Sequence, residues 1–306
     1  MSMPAQPRFI EHERAVVELS FSGFQFRLRG DRQLLARFEA EPQARSLAQS
    51  HPAEPPCPLQ SPALPLAQVD CELEASSALA PERAGGHPIE WSWQDRQGEV
   101  RTCNLRATLE HTGRRQFAVR ARLPADLLAV PTLLSAVSPA LLHAVGGTVL
   151  HAASVEFERR CVAFVGPSGA GKSTACRHTS DALSFSLDRL AVAPTEQGWV
   201  AYPLPGGKGS ESNAPASAHA SLPLATILRV ARSTQGPHIE ACRGHRRLAV
   251  LRQATFHGDR TPAAEHELLA ALDALGQAVP VGLLEFALGD PLRAVIQRFI
   301  VGGSES

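Results

Sequence analysis

CVAFVGPSGAGKST, residues 161 to 174, decides how this chain is read. Gly166, four intervening residues and then Gly171-Lys172-Ser173 satisfy G-x-x-x-x-G-K-[ST], the pattern of a phosphate-binding P-loop. The flanks agree with the pattern. Cys161 to Val165 is a short apolar run suited to a buried strand. After the loop, Thr174-Ala-Cys-Arg-His-Thr179 contains neither Gly nor Pro and can continue as helix. Strand, glycine loop and helix stand in the order a phosphate cradle requires.

Each loop residue has a physical reason to be there. Gly166, Gly169 and Gly171 allow positive φ and let the backbone approach an anion without a Cβ in the way. Successive N–H groups and the start of the helix then point toward phosphate oxygens. The predicted nucleotide-binding residues are Gly166, Pro167, Ser168, Gly169, Ala170, Gly171, Lys172, Ser173 and Thr174. In this pattern Lys172 reaches the β- and γ-phosphates, and the Ser173 hydroxyl ligates Mg²⁺. The expected cofactors are therefore ATP, or another nucleoside triphosphate, and Mg²⁺.

Working outward, residues 124 to 306 read as one α/β unit around the loop. An apolar helix (125–145) leads into a strand from Thr148 to Phe157 and a tight Glu158-Arg-Arg160 turn. Leu183 to Leu187 is a further strand ending at Asp188, and Trp199 to Leu204 another. Gly206 to Ala220 is a low-complexity surface loop. Thr261-Pro262 opens a helix with Thr as its cap and a stripe of Leu268, Leu269, Leu272 and Leu275. Val281 to Leu288 is a strand, and Asp290-Pro291 starts a closing helix to about Ile300.

Residues 1 to 123 form a smaller N-terminal β-rich domain with no chemical motif. Its strands are expected at 14–30, Ile89 to Gln94, Val100 to Glu110 and Gln116 to Leu123. Turns at Asp95 to Gly98 and His111 to Gly113 make the last three a β-meander. The Pro-rich stretch 40–66 reads as a linker or insertion.

Bulk properties narrow the partners. Lys+Arg and Asp+Glu balance at 30 each, so no basic field argues for nucleic acid or an anionic membrane. The six cysteines show neither C-x-x-C nor regular spacing, which points away from zinc and from a disulfide framework. Leu127 to Leu150 lacks any Asp, Glu, Lys or Arg over 24 residues, the length of a membrane span. Pro131, Pro139, His143 and Gly146-Gly147 interrupt it, so it reads as a buried helix followed by a core strand. With no basic segment leading an apolar one at the N-terminus, the expected location is cytoplasmic.

The motif alone leaves the reaction open. No LSGGQ-like signature, no N-K-x-D and no apolar run ending in Asp-Glu follows the loop. What does appear is His151, in the strand before the loop, and Asp188, at the end of the strand after it. This order, with Leu150-His-Ala-Ala-Ser-Val155 before the loop and Leu183-Ser-Phe-Ser-Leu-Asp-Arg189 after it, resembles the C-terminal catalytic domain of HPr kinase/phosphorylase and its relatives. Val279-Pro-Val281 followed by Leu284-Glu-Phe286 is similar to a Val-Pro-Val strand of that family. The likeness covers about 140 to 300.

The resemblance implies a fold and a chemistry. The fold is a P-loop core on a mixed β-sheet, similar to the nucleotide-binding core of HPr kinase and of phosphoenolpyruvate carboxykinase. The chemistry is transfer of the γ-phosphoryl group to a hydroxyl, most simply a serine of a protein or peptide. The implied catalytic residues are Asp188, His151 and Lys172, with Ser173 and Asp188 on the metal. The family also implies self-association into a homo-oligomer. Two departures stand out: the family's acidic pair is Leu187-Asp188 here, and a segment that in HPr kinases holds the protein substrate is missing. A small-metabolite kinase and a catalytically silent ATP-binding regulator or scaffold therefore stay open. Outside the loop, Arg243-Gly-His-Arg-Arg247 reads either as an anion-binding run or as a solvated helix start, and Lys208 as a solvated loop residue.

Overall fold

The structure is a computed structural model that describes residues 14–40, 66–76, 79, 89–124, 129–179, 183–186, 188–204, 221–256 and 261–302. The expected linker at 41–65, the loop at 206–220 with Lys208, and Leu187 lie outside the described residues. Among those described, the chain is mixed α/β, with six helices and two mixed sheets.

The first sheet has seven strands. They are β1 (Arg14–Phe21), β2 (Phe24–Asp31), β3 (Ala67–Ala75), β4 (Glu90–Gln94), β5 (Gln97–Arg101), β6 (Arg106–Gly113) and β7 (Gln116–Leu123). Their spatial order is β1-β2-β3-β7-β6-β5-β4. The period of two is plain in β1 and β2: Leu19, Phe21, Phe24, Phe26 and Leu28 are buried, while Glu18, Arg27 and Arg29 face solvent. β4 to β7 form the expected meander.

Three details differ from expectation. The strand predicted over Val100 to Glu110 is two strands, because Thr102 to Leu105 makes a turn: Thr102 N donates to Leu105 O at 2.9 Å, and the Cys103 thiol contacts the Asn104 side chain. The hairpin after β6 turns at Arg114-Arg115 rather than at His111 to Gly113, with Arg115 at φ 58°. The third difference is β3, which has no counterpart among the expected strands and lies parallel to both β2 and β7. A parallel neighbour needs a long crossover. The helix α1 (Arg32–Ala40) begins that return, and Asp31 Oδ1 caps it by accepting from Gln33 N at 2.8 Å and Leu34 N at 3.1 Å. Asp70, Glu72 and Glu74 give β3 poor strand propensity. Its neighbours compensate, since Arg27 stands opposite Asp70, Arg29 and Arg120 opposite Glu72, and Arg122 opposite Glu74.

The second sheet has nine strands. They are β8 (Thr148–Phe157), β9 (Arg160–Val165), β10 (Leu183–Ser186), β11 (Arg189–Thr195), β12 (Gly198–Pro203), β13 (Leu222–Arg232), β14 (His238–Ala241), β15 (Thr255–Phe256) and β16 (Val281–Phe286). The main path runs β10-β8-β11-β12-β13-β16-β14, with β9 between β8 and β13 and β15 on β8. β13 is parallel to β9 and β16, and the remaining pairs are antiparallel. The helices are α2 (Ala129–Ala144), α3 (Lys172–His178), α4 (Gly244–Ala254), α5 (Pro262–Ala278) and α6 (Arg293–Gly302).

From Cys161 to Val165 β9 is apolar because both its faces are covered. Cys161, Ala163 and Val165 pack with Leu251, Leu272 and Leu275 of α4 and α5, whereas Val162 and Phe164 pack with Ala175 of α3 and Ile296 of α6. Of the stripe expected on α5, Leu268, Leu272 and Leu275 are buried and Leu269 is only half-buried. Thr261 caps this helix as expected, its Oγ1 accepting from Ala264 N at 3.3 Å. β16 ends at Phe286, two residues short of expectation, and Leu288 lies exposed in the turn that follows. α6 begins at Arg293 rather than at Asp290.

The apolar helix α2 joins the two sheets. Leu133, Leu134, Val137 and Leu141 belong to one buried cluster with Phe117 of the first sheet and with Val149, Ala191 and Ala193 of the second. The reading of this stretch as buried rather than membrane-spanning agrees with the structure: among the described residues no helix is long and apolar enough to cross a membrane. The β1–β2 turn closes the same seam. Gly23 has φ 83°, and a Cβ there would lie 2.7 Å from the Tyr202 ring.

Candidate functional site

β9 ends at Val165 and the glycine loop departs into α3. Gly166, Gly169 and Gly171 all have positive φ, at 144°, 78° and 103°. At Gly169 a Cβ would meet nothing within 4 Å, so glycine is required there by backbone conformation, not by crowding. Pro167, Ser168 and Gly169 are exposed. Ala170 N donates to Pro167 O at 3.1 Å, which tightens the turn. Gly171 sits at the N-cap of α3 with no side chain to cap it, and Ser173 stands exposed in the first helical turn. At the other end Thr179 Oγ1 closes α3 by donating to Ala175 O at 2.9 Å.

Lys172 turns inward from the same turn and is only 9% exposed. Its Nζ donates to Gly166 O at 2.8 Å and Pro167 O at 3.2 Å, and lies 3.0 Å from His151 Nε2. An ammonium has only donors, so Nε2 accepts and the ring proton belongs on Nδ1. That Nδ1 is buried with no hydrogen-bond partner, and it faces Asp188 Oδ1 at 3.4 Å. Burial pushes the Lys172 ammonium below its ordinary pKa, and the nearby Asp188 charge opposes that shift.

The three catalytic residues expected from the sequence thus come together from three elements: Lys172 from α3, His151 from β8 and Asp188 from the approach to β11. The strand register explains why. His151 stands opposite Arg189, and Ala152 N donates to Asp188 O at 3.1 Å, so the backbone beside Asp188 is tied to the strand that carries the histidine. The Ser186 hydroxyl also donates to the Arg189 carbonyl.

Two further side chains belong to this group: Arg189, which the sequence offered only as a strand-end partner for Asp188, and Phe256, to which it gave no role at the site. Arg189 Nε lies 3.7 Å from Asp188 Oδ2, and its guanidinium sits 5.5 Å over the Phe256 ring. Phe256 also meets His151 edge-on, with centroids 5.6 Å apart. No local signal could reveal Phe256, because only the pairing of β15 with β8 brings it here.

The donor set suits a metal-bound polyphosphate. Magnesium takes one or two protein oxygens and completes its shell with water and phosphate. A hydroxyl at Ser173 and a carboxylate at Asp188 are of that kind. Among the described residues no group of three or more His, Cys, Asp or Glu could hold a metal ion by itself.

Other expected features behave as scaffold. Cys161 and Cys176 are buried and unpaired, and burial pushes the Cys176 thiol up to about 12, as befits small apolar residues rather than redox centres. In the Arg243 to Arg247 run, Arg246 pairs with Glu240 at 2.5 Å and Arg247 with Asp273 at 3.2 Å. That run is the start of α4 and ties it to β14 and α5. No protein-family model matches the chain, and no curated protein matches it.

Proposed function

We propose that the chain is a Mg²⁺-ATP-dependent kinase of the HPr-kinase-like type, acting in the cytoplasm on a hydroxyl of a protein or peptide, with serine the simplest acceptor. The observation that carries this reading is the buried ammonium of Lys172, held at the end of a glycine loop and in contact with His151, which in turn faces Asp188. Buried cations cost free energy unless paired, and here the direct partners are neutral. A ligand of high negative charge supplies the missing counter-charge.

The residues divide the work. Main-chain N–H groups of Gly169 to Lys172 cradle the phosphates, and Lys172 turns from its loop carbonyls toward their oxygens. Ser173 and Asp188 would hold Mg²⁺, which when bound neutralises charge on the phosphates. Asp188 is also the base within reach of the incoming hydroxyl. As the hydroxyl oxygen bonds to the γ-phosphorus and the bond to the β-phosphate oxygen breaks, its proton passes to the carboxylate. His151 Nδ1 faces Asp188 from the side, 3.4 Å from Oδ1. Phosphoryl transfer depends mainly on position and positive charge, so this short set is sufficient.

The test is incubation of the purified chain with labelled ATP, Mg²⁺ and lysate proteins, with Lys172→Ala and Asp188→Asn as controls. Label on a protein that disappears in both variants supports the proposal. Label confined to small molecules replaces the acceptor class with a metabolite. Absence of Mg²⁺-ATP binding at millimolar concentration in calorimetry would overturn the reading outright.

A further inference from the structure

Arg189 is the one charged member of the cluster that the proposed reaction leaves without a task. Its placement is specific. β9 pairs with β8 only as far as Val165 opposite Ala152, and there the chain leaves for the glycine loop. The flank of β8 beyond that point is taken by β15, with Phe256 opposite Val149. On the other flank Arg189 stands opposite His151. Directly paired residues share a face of the sheet, as do residues two apart on a strand. Phe256, His151 and Arg189 therefore occupy one face, and Lys172 reaches it.

The guanidinium is restrained without being used up. Phe256 lies under it at 5.5 Å, and the Arg189 carbonyl is held by the Ser186 hydroxyl. Its Nε is buried with no hydrogen-bond partner, the nearest carboxylate oxygen, Asp188 Oδ2, being 3.7 Å away. A guanidinium held over a ring by a cation–π contact still has N–H groups to give to a planar or tetrahedral anion. In the chain of contacts that runs from Lys172 through His151 and Asp188, Arg189 is the last member. A polyphosphate that enters through the glycine loop meets Lys172 first and Arg189 last.

We infer that Arg189, braced by Phe256, holds the terminal phosphoryl group of a bound nucleoside triphosphate and so distinguishes triphosphate from diphosphate. This rests on the ATP reading above. The rival account makes Arg189 a counter-ion for Asp188 alone, in which case its loss affects stability and leaves nucleotide preference unchanged.

Calorimetric titration of the purified full chain with Mg²⁺-ATP and Mg²⁺-ADP separates the two, using the unaltered protein, Arg189→Lys, Arg189→Gln and Phe256→Leu, with thermal unfolding as the folding control. Arg189→Gln is expected to weaken ATP binding by about 10- to 100-fold, the range of a lost charged hydrogen bond, and ADP by less than about threefold. Arg189→Lys recovers only part of the loss, because an ammonium lacks the planar fork. Phe256→Leu weakens ATP by about two- to fivefold through the lost ring contact. An ATP-to-ADP preference that stays constant across the variants overturns the inference and leaves the ATP reading standing. Failure of the unaltered protein to bind either nucleotide overturns both. Should Arg189→Gln not fold, the ratio in Arg189→Lys and Phe256→Leu decides: a fall supports the inference and a constant ratio overturns it.

Discussion

On the first sheet Arg27 and Arg122 pair with Asp70 and Glu74 across neighbouring strands, and Arg14 reaches over β2 to Glu72, all with side chains at least half exposed. In the second sheet His151, Asp188 and Arg189 are a third exposed or less, and Lys172 is 9% exposed. The first arrangement is inexpensive and weak. Exposed pairs are screened by water and salt and contribute about 0–1 kcal/mol each, so their use lies in fixing which strand lies beside which. The second is costly, since each buried charge gives up hydration. Charges gathered at that cost beside a glycine loop are the ground for placing the proposed active site there.

The contrast can be broken most severely at Lys172. Lys172→Met should weaken Mg²⁺-ATP binding by about 2–3 kcal/mol, roughly 30- to 150-fold, while leaving the fold intact. Calorimetry and circular dichroism on the same sample check both halves, and binding unchanged within twofold would contradict the assignment of the inner cluster.

The seam between the sheets carries an effect of comparable size. Gly23→Ala should destabilise the protein by about 2–4 kcal/mol, combining left-handed backbone strain with overpacking against the Tyr202 ring and Leu66. Urea unfolding measures it. A loss under about 1 kcal/mol would mean that the turn yields and that the sheets are less tightly joined than the geometry indicates.

Glu72→Ala, on the outer face of β3, tests the other half of the comparison. It should cost at most about 1 kcal/mol, shrink further at high salt and leave nucleotide binding unaltered. A salt-insensitive loss would assign that charge ladder more than a registering role.

The smallest expected effect is in pH. Burial lowers the Lys172 pKa in the folded state, so between that lowered value and the ordinary 10.5 the unfolded chain holds more of this proton than the folded one. Stability therefore rises with pH across this window and the penalty is fully present below it. The difference in stability between the native protein and Lys172→Met should shift in favour of the native protein as pH climbs toward 10.5. A flat or falling difference would contradict a desolvated ammonium.

Much of the second sheet could be read in advance. The strand from Thr148 to Phe157, the strand entering the glycine loop, the helix after it and the Thr261-capped helix carry their own periodicity, caps and glycines. β11, β13 and β14 were not anticipated. Ala193-Pro194 inside β11 and Pro223 at the start of β13 read locally as breaks, and β14 is only four residues long. Their extension is supplied by neighbours, with Leu190 to Thr195 laddered on β12 and Ile227 to Arg232 on β16. In the first sheet β3 was hidden for the same reason, since three carboxylates suppress a strand until flanking arginines offset them.

From the amino-acid order alone followed the glycine loop, its lysine and serine and the inward burial of the apolar helix, because each is encoded by neighbouring residues or by one spacing. The candidacy of His151 and Asp188 came from the resemblance to a known family. What the three-dimensional fold decided was who meets whom. The parallel setting of β3, the seam through Gly23 and Tyr202, and the company of Arg189 and Phe256 around His151 depend on strand register. Register is a property of pairs of distant segments, set by the burial and charge of both at once, and no single stretch of chain contains it.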